Sequence, residues 1–224
     1  LKPSDNYNID LKLDFNPTPT ELISLTAFYK LIKNPISRIE VASAGGYLSY
    51  ENIADKATVA GVEVEVRKNL FVRPLSSAAN GMNKLSFGLN GSYIYTNAKM
   101  PLATVTTGSQ LEGAAPWIAN FDLSHNFTKG THSFINTLVF NYVSDKIYTI
   151  GTQGYQDIME QGMMTLDFVS QAKLNKYVSL TLKARNLLNP SYQLSRKANE
   201  SGEKVVLSDY KKGINISLGV SCTF

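Results

Sequence analysis

The 224-residue sequence contains no apolar run approaching the roughly 20 residues that a transmembrane helix needs. It has a single cysteine, Cys222, which excludes an internal disulfide and any cysteine-based metal cluster. It has two histidines, His125 and His132, and one tryptophan, Trp117. Charge is also sparse: charged residues make up 18% and the net charge is only +4, dispersed along the chain. That is no electrostatic footprint for nucleic acid, so no nucleic-acid partner is expected. The chain starts at Leu1, with neither an initiator Met nor a leader peptide, and is therefore expected to be a fragment or a processed product. Hydrophobic residues still reach 43% while the mean hydropathy is −0.12. Low hydropathy does not exclude a membrane, because barrel strands dilute their apolar face by alternation.

What the sequence does have is a period of two. In the closing stretch Ile214, Ile216, Leu218, Val220, Cys222 and Phe224 alternate with small or polar residues. That is the period of a strand with one apolar face. Cys222 falls on that face as a small hydrophobe. The same alternation begins with Tyr7, Ile9, Leu11, Leu13 and Phe15. It returns in 23–31, 58–67, 85–95, 117–127, 134–142, 164–174 and 178–185. These are about nine strands of the length that a tilted membrane strand requires. Short turns are expected at 16–19, 128–131 and 175–176, and long loops at 33–56, 98–114, 148–161 and 188–210. Residues 70–83, with Pro74, Ser76, Ser77 and Gly81, read as irregular and break the short–long rhythm.

The pattern predicts an all-β fold, a transmembrane antiparallel β-barrel with the long loops extracellular and the C-terminus periplasmic. Aromatics support it. Tyr7, Tyr29, Tyr93, Tyr95, Trp117 and Tyr142 fall at one end of the strands, and Phe15, Phe87, Phe127, Tyr177 and Phe224 at or near the other. Two aromatic girdles mark two membrane interfaces, whereas a soluble sandwich would centre its aromatics in the core. Nine strands do not close a bacterial single-chain barrel, which uses an even number. The whole chain, 1–224, is therefore expected to be the C-terminal part of a larger barrel.

Three stretches carry a family resemblance: ATVAGVEVEVRKNL (57–70), ARNLLNPSY (184–192) and KKGINISLGVSCTF (211–224). Together they resemble the C-terminal barrel of TonB-dependent outer-membrane receptors, and FYKLIKNPISRIE (28–40) is similar to receptors of the Bacteroidota type. The resemblance implies a barrel of the 22-stranded type, with a plug domain and N-terminal strands that this chain lacks. It implies as partners that plug and those strands, the TonB complex acting through the plug, a surface lipoprotein, and the lipid bilayer. It implies import of a scarce or bulky substrate across the bacterial outer membrane, with this chain supplying wall and extracellular loops. The alternative is a receptor-like barrel serving as a structural subunit of an outer-membrane assembly.

The face opposite the apolar one carries Asp10, Lys12, Asp14, Lys30, Glu63, Glu65 and Arg67, then Asp122, Asp167, Lys173, Lys183 and Arg185. These are expected to line a polar lumen; the pattern does not name which of them would bind substrate. No catalytic residue is expected, since His125 and His132 flank a turn at the inner end, away from an outer-leaflet hydrolase site. No metal ligand set and no cofactor site is expected either. Gly45-Gly46 reads as loop flexibility because no helix follows it. The Asn126 and Asn199 sequons carry no meaning in a bacterial outer membrane.

Overall fold

The computed structural model describes residues 1–41, 47–75, 81–100, 110–152, 154–198 and 201–223. In chain order its strands are β1 (Asp5–Phe15), β2 (Leu22–Lys33), β3 (Ile36–Glu40), β4 (Leu48–Asn52) and β5 (Lys56–Pro74). There follow β6 (Met82–Ala98), β7 (Trp117–Lys129), β8 (His132–Val143), β9 (Lys146–Thr149) and β10 (Ile158–Glu160). The last are β11 (Met163–Lys173), β12 (Val178–Arg185), β13 (Ser191–Lys197), β14 (Lys204–Lys211) and β15 (Asn215–Cys222). Nine of them form one antiparallel meander, β1-β2-β5-β6-β7-β8-β11-β12-β15. These are the nine strands that the alternation predicts.

The register keeps the two faces in phase from strand to strand, with His125, Asn136 and Ser170 as a polar row on the apolar side. Leu13 pairs with Leu25, and that line continues through Val64, Gly91, Ala119, Tyr142 and Met164. One residue away, Asp14 leads through Ser24, Glu65, Asn90, Asn120, Asn141 and Thr165. The polarity of burial is inverted relative to a water-soluble sheet. Ser24 is 3% exposed on the polar face, while Leu25 next to it is 47% exposed and Leu218 is 71% exposed. A surface that buries serine and exposes leucine strand after strand suits hydrocarbon, not water.

Three boundaries differ from the sequence expectation. Residues 70–74 are strand, not irregular chain: β5 runs on to Pro74 across a bulge between Asn69 and Phe71. The bulge shifts the side-chain phase by one, which hides the strand from a period-two reading. The connection to β6 then shrinks to 75–81, closed by the Leu75 N–H donating to the Gly81 carbonyl at 2.9 Å. Ser76 and Ser77 lie outside the described residues. The turn after β11 is longer than two residues: the Asn175 side chain accepts from Tyr177 N at 2.8 Å and Val178 N at 2.9 Å, an Asx turn. At the turn between β7 and β8, Gly130 takes φ +60. Gly45-Gly46, Asn199 and the terminal Phe224 lie outside the described residues.

The largest difference lies in the expected loops. Among the described residues, three of the four contain strands. Residues 33–56 hold the β3–β4 hairpin, and 148–161 and 188–210 contribute to a second sheet of order β14-β13-β10-β9. That sheet is the wall continued: β9 follows β8, β10 precedes β11, β13 follows β12 and β14 precedes β15. Between the two sheets the four strands break at one level. Asn186 and Asn189 take φ 59 and 44, and Gly213 takes φ 82. The Asn186 amide donates to the Gly213 carbonyl at 2.7 Å, and Gly213 N–H donates to the Asn189 side chain at 3.0 Å. A Cβ on Gly162 would stand 2.7 Å from the Val143 carbonyl, so only glycine fits there. The upper part folds into a cap with its own core of Ile39, Ile53, Ala57, Ala98, Leu111, Ile147 and Ile150. Ala57 and Ala98 belong to the polar face of the wall, so the cap packs on that side and leaves the apolar face bare.

Candidate functional site

Two surfaces could meet a ligand: the polar face of the wall and the cap above it. On the polar face, register aligns all the charged residues named from sequence. Asp10, Lys12, Asp14 and Lys30 come from β1 and β2, and Glu63, Glu65 and Arg67 from β5. Asp122, Asp167, Lys173 and Lys183 come from β7, β11 and β12 on the same side, and Arg185 extends that side at the end of β12. Few of them pair with each other. Lys12–Asp14 at 3.3 Å and Arg67–Glu65 at 2.6 Å are neighbours within single strands and are largely exposed, so they add little stability. Between them the face is amide and hydroxyl: Asn120 donates to Asn90 at 3.4 Å, Asn141 to Thr165 at 3.1 Å, and Ser124 and Thr137 lie 3.1 Å apart. A face of this kind can exchange hydrogen bonds with a mobile polar neighbour without trapping it.

The cap is held more firmly. The Arg38 backbone N–H donates to Glu112 at 2.7 Å, and its guanidinium pairs with the same carboxylate at 3.1 Å. The guanidinium also lies 3.8 Å from the centre of the Tyr148 ring and donates to the Tyr148 carbonyl. Arg196 pairs with Glu40 at 2.6 Å, with side chains only 16% and 13% exposed. Thr152 Oγ1 donates to the Glu40 carbonyl and locks the same corner. These ties bind β3 to β9 and β13, elements more than a hundred residues apart in places.

Two clefts open beside them. One, of about 470 Å³, lies between Asp145, Asp157, Arg196, Lys197 and Lys204. The other, of about 400 Å³, sits at the break between wall and cap, among Asp167, Arg185, Asn186, Tyr192 and Lys212. There the Tyr192 ring packs 5.1 Å from that of Tyr210, with the Lys212 ammonium 5.6 Å over it. Burial pushes the Tyr192 phenol above the ordinary tyrosine range, and the Glu160 charge adds to the shift. Its hydroxyl is therefore a neutral hydrogen-bonding group at physiological pH. Both clefts offer charges of both signs and amides, and the second adds the Tyr192 ring, the equipment for reversible capture of a polar ligand.

The histidines are where sequence puts them, at either side of the β7–β8 turn, and His125 bonds Asn83 at 2.8 Å. Among the described residues no three His, Cys, Asp or Glu side chains gather as a metal site. Sequence reasoning missed the cap residues Arg38, Glu40, Glu112, Arg196 and Tyr192, because each acquires meaning only from partners far along the chain. The one local hint was ARNLLNPSY, whose two asparagines form the break. A family model described as "TonB dependent receptor-like, beta-barrel" matches residues 1–187. No curated protein and no solved structure matches the chain.

Proposed function

The chain belongs to the TonB-dependent receptor β-barrel family of the bacterial outer membrane, and from that premise we propose that it forms wall and extracellular cap of a receptor importing a scarce or bulky substrate. The observation that carries the reading is the pairing of a bare apolar face with a polar face roofed by a cleft-bearing cap. The cap lies outside the cell and captures substrate. The turns at 16–21, 75–81, 130–131 and 174–177 are periplasmic. A plug fills the barrel against the polar face, and the TonB complex pulls on it to open a path along that face. The amide- and hydroxyl-rich polar face supports such movement, because each bond broken there is replaced by another. The residues FYKLIKNPISRIE support a Bacteroidota source, where a surface lipoprotein would cover the cap. Residues 1–224 act as the C-terminal portion of one barrel, completed by strands of the same precursor or of a second chain.

The test is uptake by cells carrying the receptor with its upstream strands. A panel of metal chelates, oligosaccharides and oligopeptides is offered with and without an active TonB complex. The expected result is one class whose accumulation needs both the receptor and the complex. Accumulation that persists without the complex would overturn the import reading, and no dependence on the receptor for any class would favour a structural subunit.

A further inference from the structure

The apolar face of the wall carries charge only toward its two ends: Lys68, Arg73 and Lys129 lie toward the end away from the cap, and at the cap end three lysines stand in line. Lys33 on β2 is the direct partner of Lys56 on β5. Lys99 follows Ala98, the partner of Ala57, and so prolongs the line onto the third strand. Like charges placed opposite each other on neighbouring strands, about 4.8 Å apart, destabilise a sheet. The chain offsets this only weakly. Asp5 on β1 is the direct partner of Lys33 on its other side and Asp55 precedes Lys56, yet none of the five residues forms an ion pair among the described residues. Lys33 lies 5.1 Å over the Tyr7 ring. Lys56 and Lys99, both exposed, line an open cleft of about 480 Å³ together with Asp55, Thr58, Asn97 and Leu31, and Lys33 stands beside that lining rather than in it.

What lies below the line identifies its surroundings. The next line down is Tyr7, Leu31, Thr58 and Asn97. Beneath it come Ile9, Tyr29, Ala60 and Tyr95, then Leu11, Ala27, Val62, Tyr93 and Trp117. Ammonium groups, then hydroxyls and amides, then two lines in which Tyr29, Tyr95, Tyr93 and Trp117 mix with aliphatic side chains follow the order of a lipid leaflet from headgroup through the aromatic belt. The cap packs on the other face, so nothing described in this chain covers the lysines.

We propose that Lys33, Lys56 and Lys99 form a binding site for the phosphate of an outer-leaflet lipid, with Thr58 and Asn97 as hydrogen-bonding groups and Tyr29 and Tyr95 against the upper acyl chain. The proposal rests on the barrel reading and on the cap end facing outward. A lipid fits better than free phosphate because the site is continuous with exposed apolar surface, Tyr7 being 54% and Ile9 70% exposed. A phosphate there neutralises the line and turns a destabilising row into an anchor that fixes the depth of the wall in the membrane.

The experiment uses the receptor with its upstream strands in nanodiscs of phosphatidylcholine containing a small share of phosphatidic acid. After gentle detergent extraction, the lipid that stays bound is quantified by mass spectrometry. Phosphatidic acid should be enriched over its share, and each lysine changed, Lys33→Gln, Lys56→Gln or Lys99→Gln, should lower the enrichment about fivefold. Lys183→Gln, on the polar face, should leave it unchanged. Heat-modifiable electrophoretic mobility of each variant reports a folded barrel independently. A receptor that never shows that shift would sink the barrel reading and this site with it. A shifted, folded receptor that retains the two lipids in proportion overturns the site alone. Loss of enrichment in high salt supports it without any variant. Displacement by inorganic phosphate, but not by chloride of equal ionic strength, would assign the site to free phosphate and overturn the lipid assignment.

Discussion

Leu218 and Ser217 differ by one position and face opposite environments. Leu218 pairs with Leu182, and Ser217 pairs with Lys183. Leu218→Arg should cost about 2–4 kcal/mol near the bilayer midplane, and Ser217→Arg a small part of that. Equilibrium unfolding of the receptor refolded into lipid checks it, and equal or reversed costs would show the facing to be wrong. A second pair of residues isolates backbone strain. A Cβ on Gly213 would touch nothing within 4 Å, but φ is +82. Gly213→Ala should therefore cost about 1–2 kcal/mol through conformation alone. Gly219→Ala, where the nearest atom is 3.9 Å away and φ is ordinary, should be neutral or slightly stabilising. The same unfolding measurement ranks the two.

At the scale of elements, the nine wall strands were legible in the sequence because lipid on one side and a polar interior on the other write a clean alternation into each. The bulge after Asn69 was where the wall pairings shifted register, and Asn136 was the polar residue that interrupted the apolar face of β8. The cap strands were illegible for a physical reason. β14 exposes Val205, Val206 and Leu207 in succession, and β10 has three residues, so neither shows a period. They are strands because they prolong wall strands already in register. The cap's ties were equally hidden, since Arg196 and Glu40 are 156 residues apart. Breaking that pair should loosen the cap and leave the wall intact. Arg196→Ala or Glu40→Ala alone should cost the cap about 1–3 kcal/mol by leaving a largely buried charge unpaired, and the double variant less than the sum. Limited proteolysis of the cap reads this directly; additive effects would show that the pair carries no coupling.

For the whole molecule, the outer edges of β1 and β15 have no partner strand among the described residues. Within a bilayer, backbone groups left unpaired along such edges are too costly to persist. Purification in mild detergent should therefore yield additional barrel strands in equal amount with this chain, either on the same polypeptide or on a companion. A monodisperse, folded species made of these 224 residues alone would refute the expectation. The meander has a further consequence, for the order of assembly. Each wall strand pairs with the wall strand before it in sequence, and the excursions after β2, β8 and β12 hold paired strands of their own. Loop closure is then cheap at every step, and the wall can zip up one hairpin at a time. The cap cannot join that process early. Its contacts Arg38–Tyr148 and Arg196–Glu40 span 110 and 156 residues and must wait until the intervening strands are in place. The kinetics of assembly therefore delay the ties that fasten β3 to β9 and β13 until the strands between them are in place, and a stalled, half-zipped intermediate would carry a cap that is not yet tied down.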